Sequence, residues 1–130
     1  MQVAENTDQT TSKTSTLLDQ MRREFPHQIL AEQLTCDGIP TLWVDRAHVK
    51  SMLRTLQSKT SPVFEMLYDL TAIDERLRVH REGQPASEFT VVYHLMSFSG
   101  NCDFRLKVPL ADADLTLLIG EPYVAVDAGR

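Results

Sequence analysis

Residues 63–108 decide the fold of this chain. They read VFEMLYDLTAIDERLRVHREGQPASEFTVVYHLMSFSGNCDFRLKV, which is three apolar runs separated by two polar segments. Each run alternates apolar and polar side chains with a period of two, as a half-buried strand does. Ser99-Gly100-Asn101 separates the last two runs and is typical of a hairpin turn. The stretch therefore predicts three strands, the last two of them adjacent.

The alternation also predicts which side of each strand is buried. In the second run the apolar row is opposed by Thr90 and His94, and we expect this strand to lie inside the sheet. In the third run the opposite side is strictly polar, with Asp103, Arg105 and Lys107. The rows that we expect to face the core are Phe64, Met66, Tyr68, Leu70 and Ala72, then Phe89, Val91, Tyr93 and Leu95, and finally Cys102, Phe104, Leu106 and Val108.

Two helices and a second hairpin are predicted upstream. Asp37-Gly38 supplies a turn between strands at residues 28–35 and 39–44. Pro40 has no N–H to donate and favours an edge position for its strand, and Asp45 is typical of a helix cap. The apolar residues at helical spacing are Leu17, Leu18, Met21 and Phe25 for the first helix, and Val49, Met52, Leu53 and Leu56 for the second.

The element order α-β-β-α-β-β-β predicts an α+β fold. We expect a two-layer sandwich in which two helices cover one face of a mainly antiparallel sheet of about five strands. This domain is predicted to span residues 14–116. Residues 1–13 are polar and predict a mobile tail. Residues 117–130 carry only a weak pattern, and we expect them to be poorly packed.

Composition and charge exclude several classes of protein. The chain has 130 residues, of which 42% are hydrophobic and 24% charged, as in one soluble globular domain. A formal net charge of -5 argues against a general affinity for nucleic acid. No apolar run approaches the ~20 residues of a membrane span, and no secretory signal is visible, so we expect a cytoplasmic protein. Cys36 and Cys102 are too few for a disulfide framework or a zinc site.

Two functional interpretations can be built on the strands themselves. Asp69 and His94 are expected to face each other, either as a polar cross-strand pair, which we favour, or as the acid–base pair of a small hydrolase. Ser97 lies an odd number of residues from His94 and should point to the other face, which argues against a triad. Phe89 and Tyr93 would suit a free-standing RNA-binding module, but they continue an apolar row and predict core packing. No glycine-rich cradle or ligand spacing occurs, so we predict no catalytic, cofactor-binding or metal-binding residue.

The connection from Asp74 to Glu88 is unusual because it spends about fifteen residues where two would suffice, and such long connections are often functional or mobile. One interpretation is a solvated loop whose local ion pairs each contribute at most about 1 kcal/mol. The other is a docking loop, since arginine is favoured at protein interfaces. The interface candidates, including two strand residues, are Asp69, Asp74, Glu75, Arg76, Arg78, His80, Arg81 and His94.

Three motifs in this region resemble a known family. Leu67, Asp69, Leu70 and Asp74 match a strand pattern Leu-x-Asp-Leu-x-x-x-Asp, and residues 89–95 match Phe-x-Val-x-Tyr-His-Leu. Residues 74–83 match Asp-Glu-Arg-Leu-Arg-x-His-Arg-Glu-Gly. These patterns are similar to the 30 kDa or C subunit of the bacterial respiratory NADH:quinone oxidoreductase, complex I, and most of all to the C/D forms, in which it is fused to the D subunit. The family's later Glu-Arg-Glu and Asp-x-Phe-Gly-Ile motifs do not follow, so the chain resembles a truncated or frameshifted member.

The resemblance implies a structural role without catalytic residues. It implies a place in the hydrophilic arm on the cytoplasmic side of the bacterial inner membrane, reached only through the complex, with no nucleic acid as partner. The implied partners are other peripheral-arm subunits, especially the D and B subunits and the iron–sulfur I subunit. FMN, iron–sulfur clusters, quinone and NADH would be bound by other subunits, while this chain supports electron transfer from NADH to quinone coupled to proton translocation.

Overall fold

The computed structural model describes residues 16–111, which form two layers. Residues 16–24 form helix α1. A 3₁₀ turn at Arg46–His48 leads into helix α2 at Val49–Ser58. The strands are β1 (Ile29–Gln33), β2 (Thr41–Val44), β3 (Met66–Asp74), β4 (Phe89–Ser97) and β5 (Cys102–Leu110), and they form one sheet in the order β1-β2-β5-β4-β3. The predicted α+β sandwich and its element order are confirmed.

The core lies between the two helices and one face of the sheet. Leu17 and Met21 of α1 and Met52 and Leu56 of α2 are buried in one cluster with the apolar rows of β2, β4 and β5. Asp45 caps the helical segment, since its side chain accepts a hydrogen bond from the Ala47 N–H. The members of the cluster from the sheet and its borders are Leu42, Val44, Phe64, Val91, Leu95, Phe104, Leu106, Val108 and Leu110.

The predicted edge position of the Pro40 strand is wrong. Strand β2 begins at Thr41, one residue after Pro40, and lies inside the sheet between β1 and β5. It pairs with β5 in parallel, and Pro40 contributes its carbonyl, which accepts a hydrogen bond from the Arg105 N–H at 2.9 Å. Proline lacks a donor but keeps its acceptor, so it is tolerated just before an internal strand. In the β1–β2 turn the positive φ predicted for Asp37-Gly38 belongs to Gly38 alone, at 73°.

The predicted buried row of β3 is also wrong, apart from Phe64, which lies before the strand. Strand β3 is the edge of the sheet, and Met66, Tyr68 and Leu70 are exposed, as is Leu67 from the other row. No residue of β3 belongs to the core cluster formed by the described residues. Periodicity predicts the two faces of a strand, but it does not reveal whether the opposite layer extends far enough to cover it.

Strands β4 and β5 agree with the prediction. Strand β4 lies inside the sheet, and β5 buries Phe104, Leu106 and Val108 as expected. The turn between them contains Asn101 with a φ of 49°, as the predicted hairpin requires. The predicted segments 1–13 and 117–130 lie outside the described residues.

Candidate interaction surface

Strand β3 forms an apolar edge that no described element covers. Four of its residues are 39–55% exposed, namely Met66, Leu67, Tyr68 and Leu70. Leu67 and Leu70 oppose the core-facing residues Leu95 and Tyr93 of β4. Met66 instead opposes Met96 on the open face, which is the face of the sheet that the helices do not cover. Apolar side chains therefore emerge on both faces of the edge. A cluster of this kind on a folded domain is typical of a protein contact.

A bulge in β3 presents Tyr68 to the open face of the sheet. The register between β3 and β4 shifts between Leu67 and Asp69. The Tyr68 hydroxyl oxygen lies 2.7 Å from Nε2 of His94, and the two rings are 4.4 Å apart between centroids. His94 Nε2 also lies 3.8 Å from a carboxylate oxygen of Asp103. The histidine thus anchors an edge tyrosine in a fixed orientation.

Burial lowers the pKa of His94 and so links its protonation to the stability of the fold. Its pKa lies below 6.5 because burial disfavours the imidazolium, and Arg105 acts in the same direction, while Asp103, Asp69 and Asp37 partly oppose this. The unfolded chain therefore binds a proton that the folded chain rejects, and we expect stability to fall as the pH drops below about 6.5.

In His94→Gln the free energy of unfolding, measured in urea between pH 5 and 7.5, should depend less on pH. The control is His27→Gln at an exposed position, and equal flattening in both variants would contradict the assignment to His94.

The connection after β3 is fixed at its start by Arg76. The Asp74 carboxylate accepts hydrogen bonds from Nε and Nη2 of Arg76, at 2.9 and 2.7 Å. These bonds hold the pKa of Asp74 at about 2. The guanidinium carbon of Arg76 also lies 4.9 Å from the centroid of the Phe89 ring. The contacts of Asp74 and Arg76 therefore stabilise the connection itself.

Glu75 fixes the same connection to β4. One of its carboxylate oxygens accepts a hydrogen bond from the buried Thr90 hydroxyl at 2.9 Å, and the other lies 3.1 Å from Nη1 of Arg78. The Glu75 N–H in turn donates to the carbonyl of Glu88. Four of the eight candidates, Asp74, Glu75, Arg76 and Arg78, thus hold the loop together.

The remaining loop candidates, His80 and Arg81, are exposed. Among the described residues, neither side chain has a hydrogen-bonded or ionic partner. Leu77 and Val79, which were not among the predicted candidates, are 99% and 91% exposed. Exposed apolar and basic side chains thus lie next to one another along residues 77–81. This sequence of residues could be read directly, but the exposure of Leu77 and Val79 could not.

The geometry does not support a hydrolase triad. Asp69 and His94 are register partners as predicted, but the described contacts of His94 are to Tyr68 and Asp103. Ser97 is buried, and its hydroxyl contacts Ser99 and the Gly100 N–H. Within residues 16–111 no three or more His, Cys, Asp or Glu side chains are grouped so that they could hold a metal ion.

The aromatic pair considered for RNA faces the core. Phe89 opposes Leu110 and Tyr93 opposes Leu106, and both rings pack against the buried cluster. Burial raises the pKa of Tyr93, in keeping with that position. The open face of the sheet therefore has no stacking platform at these two residues, and the predicted core packing is confirmed. In the part of the chain that is described, neither helix has the length and hydropathy needed to cross a membrane.

A two-layer α+β domain with an uncovered apolar edge and a long charged loop is typical of one class of protein, the binding or scaffold domain. The comparisons identify the family. The protein-family model described as the respiratory-chain NADH dehydrogenase 30 Kd subunit matches residues 42–118, which is more than half of the chain. The chain therefore belongs to the 30 Kd subunit family of the respiratory-chain NADH dehydrogenase, as the motifs had predicted.

Curated relatives agree with this assignment. The chain is 59% identical over 83 residues to the NADH-quinone oxidoreductase C/D subunit of Acidiphilium cryptum, covering 64% of this chain and 14% of that protein. It is 58% identical over 85 residues to the C/D subunit of Nitrosospira multiformis, covering 65% and 14%. For the C/D subunit of Psychrobacter cryohalolentis the values are 43% over 115 residues, 88% and 19%. The chain thus spans less than a fifth of the length of these relatives.

Proposed function

We propose that this chain is a non-catalytic structural subunit, or part of one, of the hydrophilic arm of NADH:quinone oxidoreductase. In that role it supports electron transfer from NADH to quinone coupled to proton translocation, on the cytoplasmic side of the bacterial inner membrane. Its partners are the other peripheral-arm subunits, with the D and B subunits and the iron–sulfur I subunit as the expected neighbours. FMN, the iron–sulfur clusters, quinone and NADH are bound by other subunits.

The observation that carries the proposal is the uncovered strand β3. Burying an exposed leucine or methionine contributes about 1.5–3 kcal/mol when it is complete, and four large apolar side chains lie along this edge. An edge strand that keeps such residues exposed is prone to non-specific pairing. A permanent partner in a larger assembly would cover these residues and prevent such pairing. The membership of this chain in a family of enzyme-complex subunits supports this explanation.

The interface candidates divide into two roles in this proposal. Asp69, His80 and Arg81 contact the partner directly, next to the apolar edge and to Leu77 and Val79. His94 acts through Tyr68, whose ring it orients at the edge. Asp74, Glu75, Arg76 and Arg78 act indirectly, because their bonds give the loop one shape before it meets a partner, which lowers the entropic cost of binding.

Complementation tests the proposal. The tagged chain is expressed in a bacterium whose own fused C/D polypeptide lacks the segment corresponding to residues 42–111. We expect the tag to co-purify with the remaining complex after mild detergent extraction, and the membranes to regain NADH-driven quinone reduction. If the chain accumulates in folded form but neither co-purifies with the complex nor restores quinone reduction, the proposal is wrong.

A further inference from the structure

A small cationic cavity lies under the connection 75–88, on the open face of the sheet. Its volume is about 80 Å³, and its lining includes Arg78, His80, Arg81 and Lys107. The neutral polar side chains Gln33, Gln84 and Ser87 complete its polar wall. A water needs about 10–15 Å³ of such space, so the cavity has room for several waters or for one small oxyanion.

Lys107 lines this cavity, and among the described residues it has no hydrogen-bonded or ion-paired anionic partner. Its Nζ donates a hydrogen bond to Oε1 of Gln33 at 3.1 Å and lies 5.4 Å from the centroid of the Trp43 ring. Both partners are uncharged. A partly buried ammonium group is ordinarily paired with a carboxylate, because desolvating a lone charge is costly.

The one carboxylate among the described lining residues, Glu75, does not neutralise the site. Both oxygens of Glu75 are already engaged, one by Arg78 and one by Thr90. Burial lowers the pKa of Lys107, and the charge of Arg105 lowers it further. The charge of Glu75 opposes this shift, while Arg78 and Arg81 add to it. Cationic groups therefore converge on this space in excess over the anionic ones.

We propose that the cavity bounded by Lys107 and Arg81 is a binding site for one oxyanion, either a phosphate group or a carboxylate. The ammonium group of Lys107 and the guanidinium of Arg81 supply charge-assisted hydrogen bonds, and Gln84 and Ser87 supply neutral donors. The lining comes from this chain, so the site can be tested in the unassembled chain, although the proposed function also places Arg81 at the partner contact.

The chain contains a built-in reporter for this site. Trp43 is the single tryptophan, and its Nε1–H donates to the same Gln33 oxygen that accepts from Lys107, at 2.9 Å. An anion that draws Lys107 toward itself weakens its bond to Gln33 and changes the environment of the indole N–H. The sole indole signal in an amide-proton correlation spectrum should therefore move on binding.

The test titrates the full chain with inorganic phosphate, with N-acetylglutamate amide as the carboxylate probe, and with sodium chloride at matched ionic strength. We expect a saturable shift of the indole signal, half-complete at about 10 mM or below, with one or both oxyanions and none with chloride. A shift with phosphate alone identifies a phosphate site, and one with the glutamate probe alone identifies a carboxylate site. An equal shift with chloride, or no shift with either oxyanion, would overturn the proposal.

Two variants assign the effect to the cavity. Arg81→Gln changes an exposed side chain and should weaken binding about tenfold, and Lys107→Gln should weaken it at least as much. The matched controls are Arg54→Gln and Lys50→Gln on the exposed side of α2. Retained affinity in a folded Arg81→Gln chain would also refute the site, even if Lys107→Gln does not fold.

Discussion

A Leu70→Lys chain is expected to fold normally but to fail to join the complex. Leu70 is 55% exposed at the middle of β3, and its replacement by lysine removes apolar contact area and places a charge in the proposed interface. Central apolar interface residues contribute about 2 kcal/mol or more to binding, which corresponds to a roughly thirtyfold weaker complex. The measurement is the fraction of tagged chain retained with the complex in the complementation experiment.

The control for this prediction is Leu30→Lys. Leu30 is 50% exposed and lies on β1, the strand at the opposite edge of the same sheet. Both variants place a lysine on an edge strand, where lysine is well tolerated, so neither should unfold the domain. Retention of Leu70→Lys at the level of Leu30→Lys would show that β3 is not the contact surface.

The largest effect on stability is expected for Phe104→Ala. Phe104 is fully buried in β5, and its ring lies 5.7 Å from that of Phe64 between centroids. Removing a buried phenylalanine side chain costs about 3–5 kcal/mol, a large part of the total stability of a small domain. We expect the melting temperature to fall by roughly 15–30 °C, as measured by circular dichroism or calorimetry.

Phe98→Ala is the matched control for the core variant. Phe98 follows β4 and is 63% exposed, and its described hydrogen bond is made by its backbone N–H to Glu65. Truncating this ring leaves that bond intact and should change the melting temperature little. A loss in Phe98→Ala comparable to that in Phe104→Ala would mean that the core does not lie where the sheet and helices place it.

The sequence predicted those features that depend on neighbouring residues. The alternation of β5 identified Phe104, Leu106 and Val108 as buried, and helical spacing identified Met21 and Met52. The motifs in residues 67–95 were sufficient to predict the family, because a motif is defined by residue identities and can be recognised without a structure. In the candidate surface, the sequence found the loop charges but assigned to β3 a buried row that it does not have.

Tertiary structure decided which elements meet. The parallel pairing of β2 with β5 joins residues more than sixty positions apart, such as Leu42 and Leu106, and no local pattern encodes it. The same pairing brings Trp43 and Gln33 to Lys107 and creates the cationic cavity. Strand β3 pairs with β4 alone among the described strands, so it is an edge strand. It contributes nothing to the described core, and its apolar side chains remain exposed. The periodicity of a sequence reflects the geometry of a single strand. Which strands pair, and whether the opposite layer covers a strand, depend on contacts between distant parts of the chain.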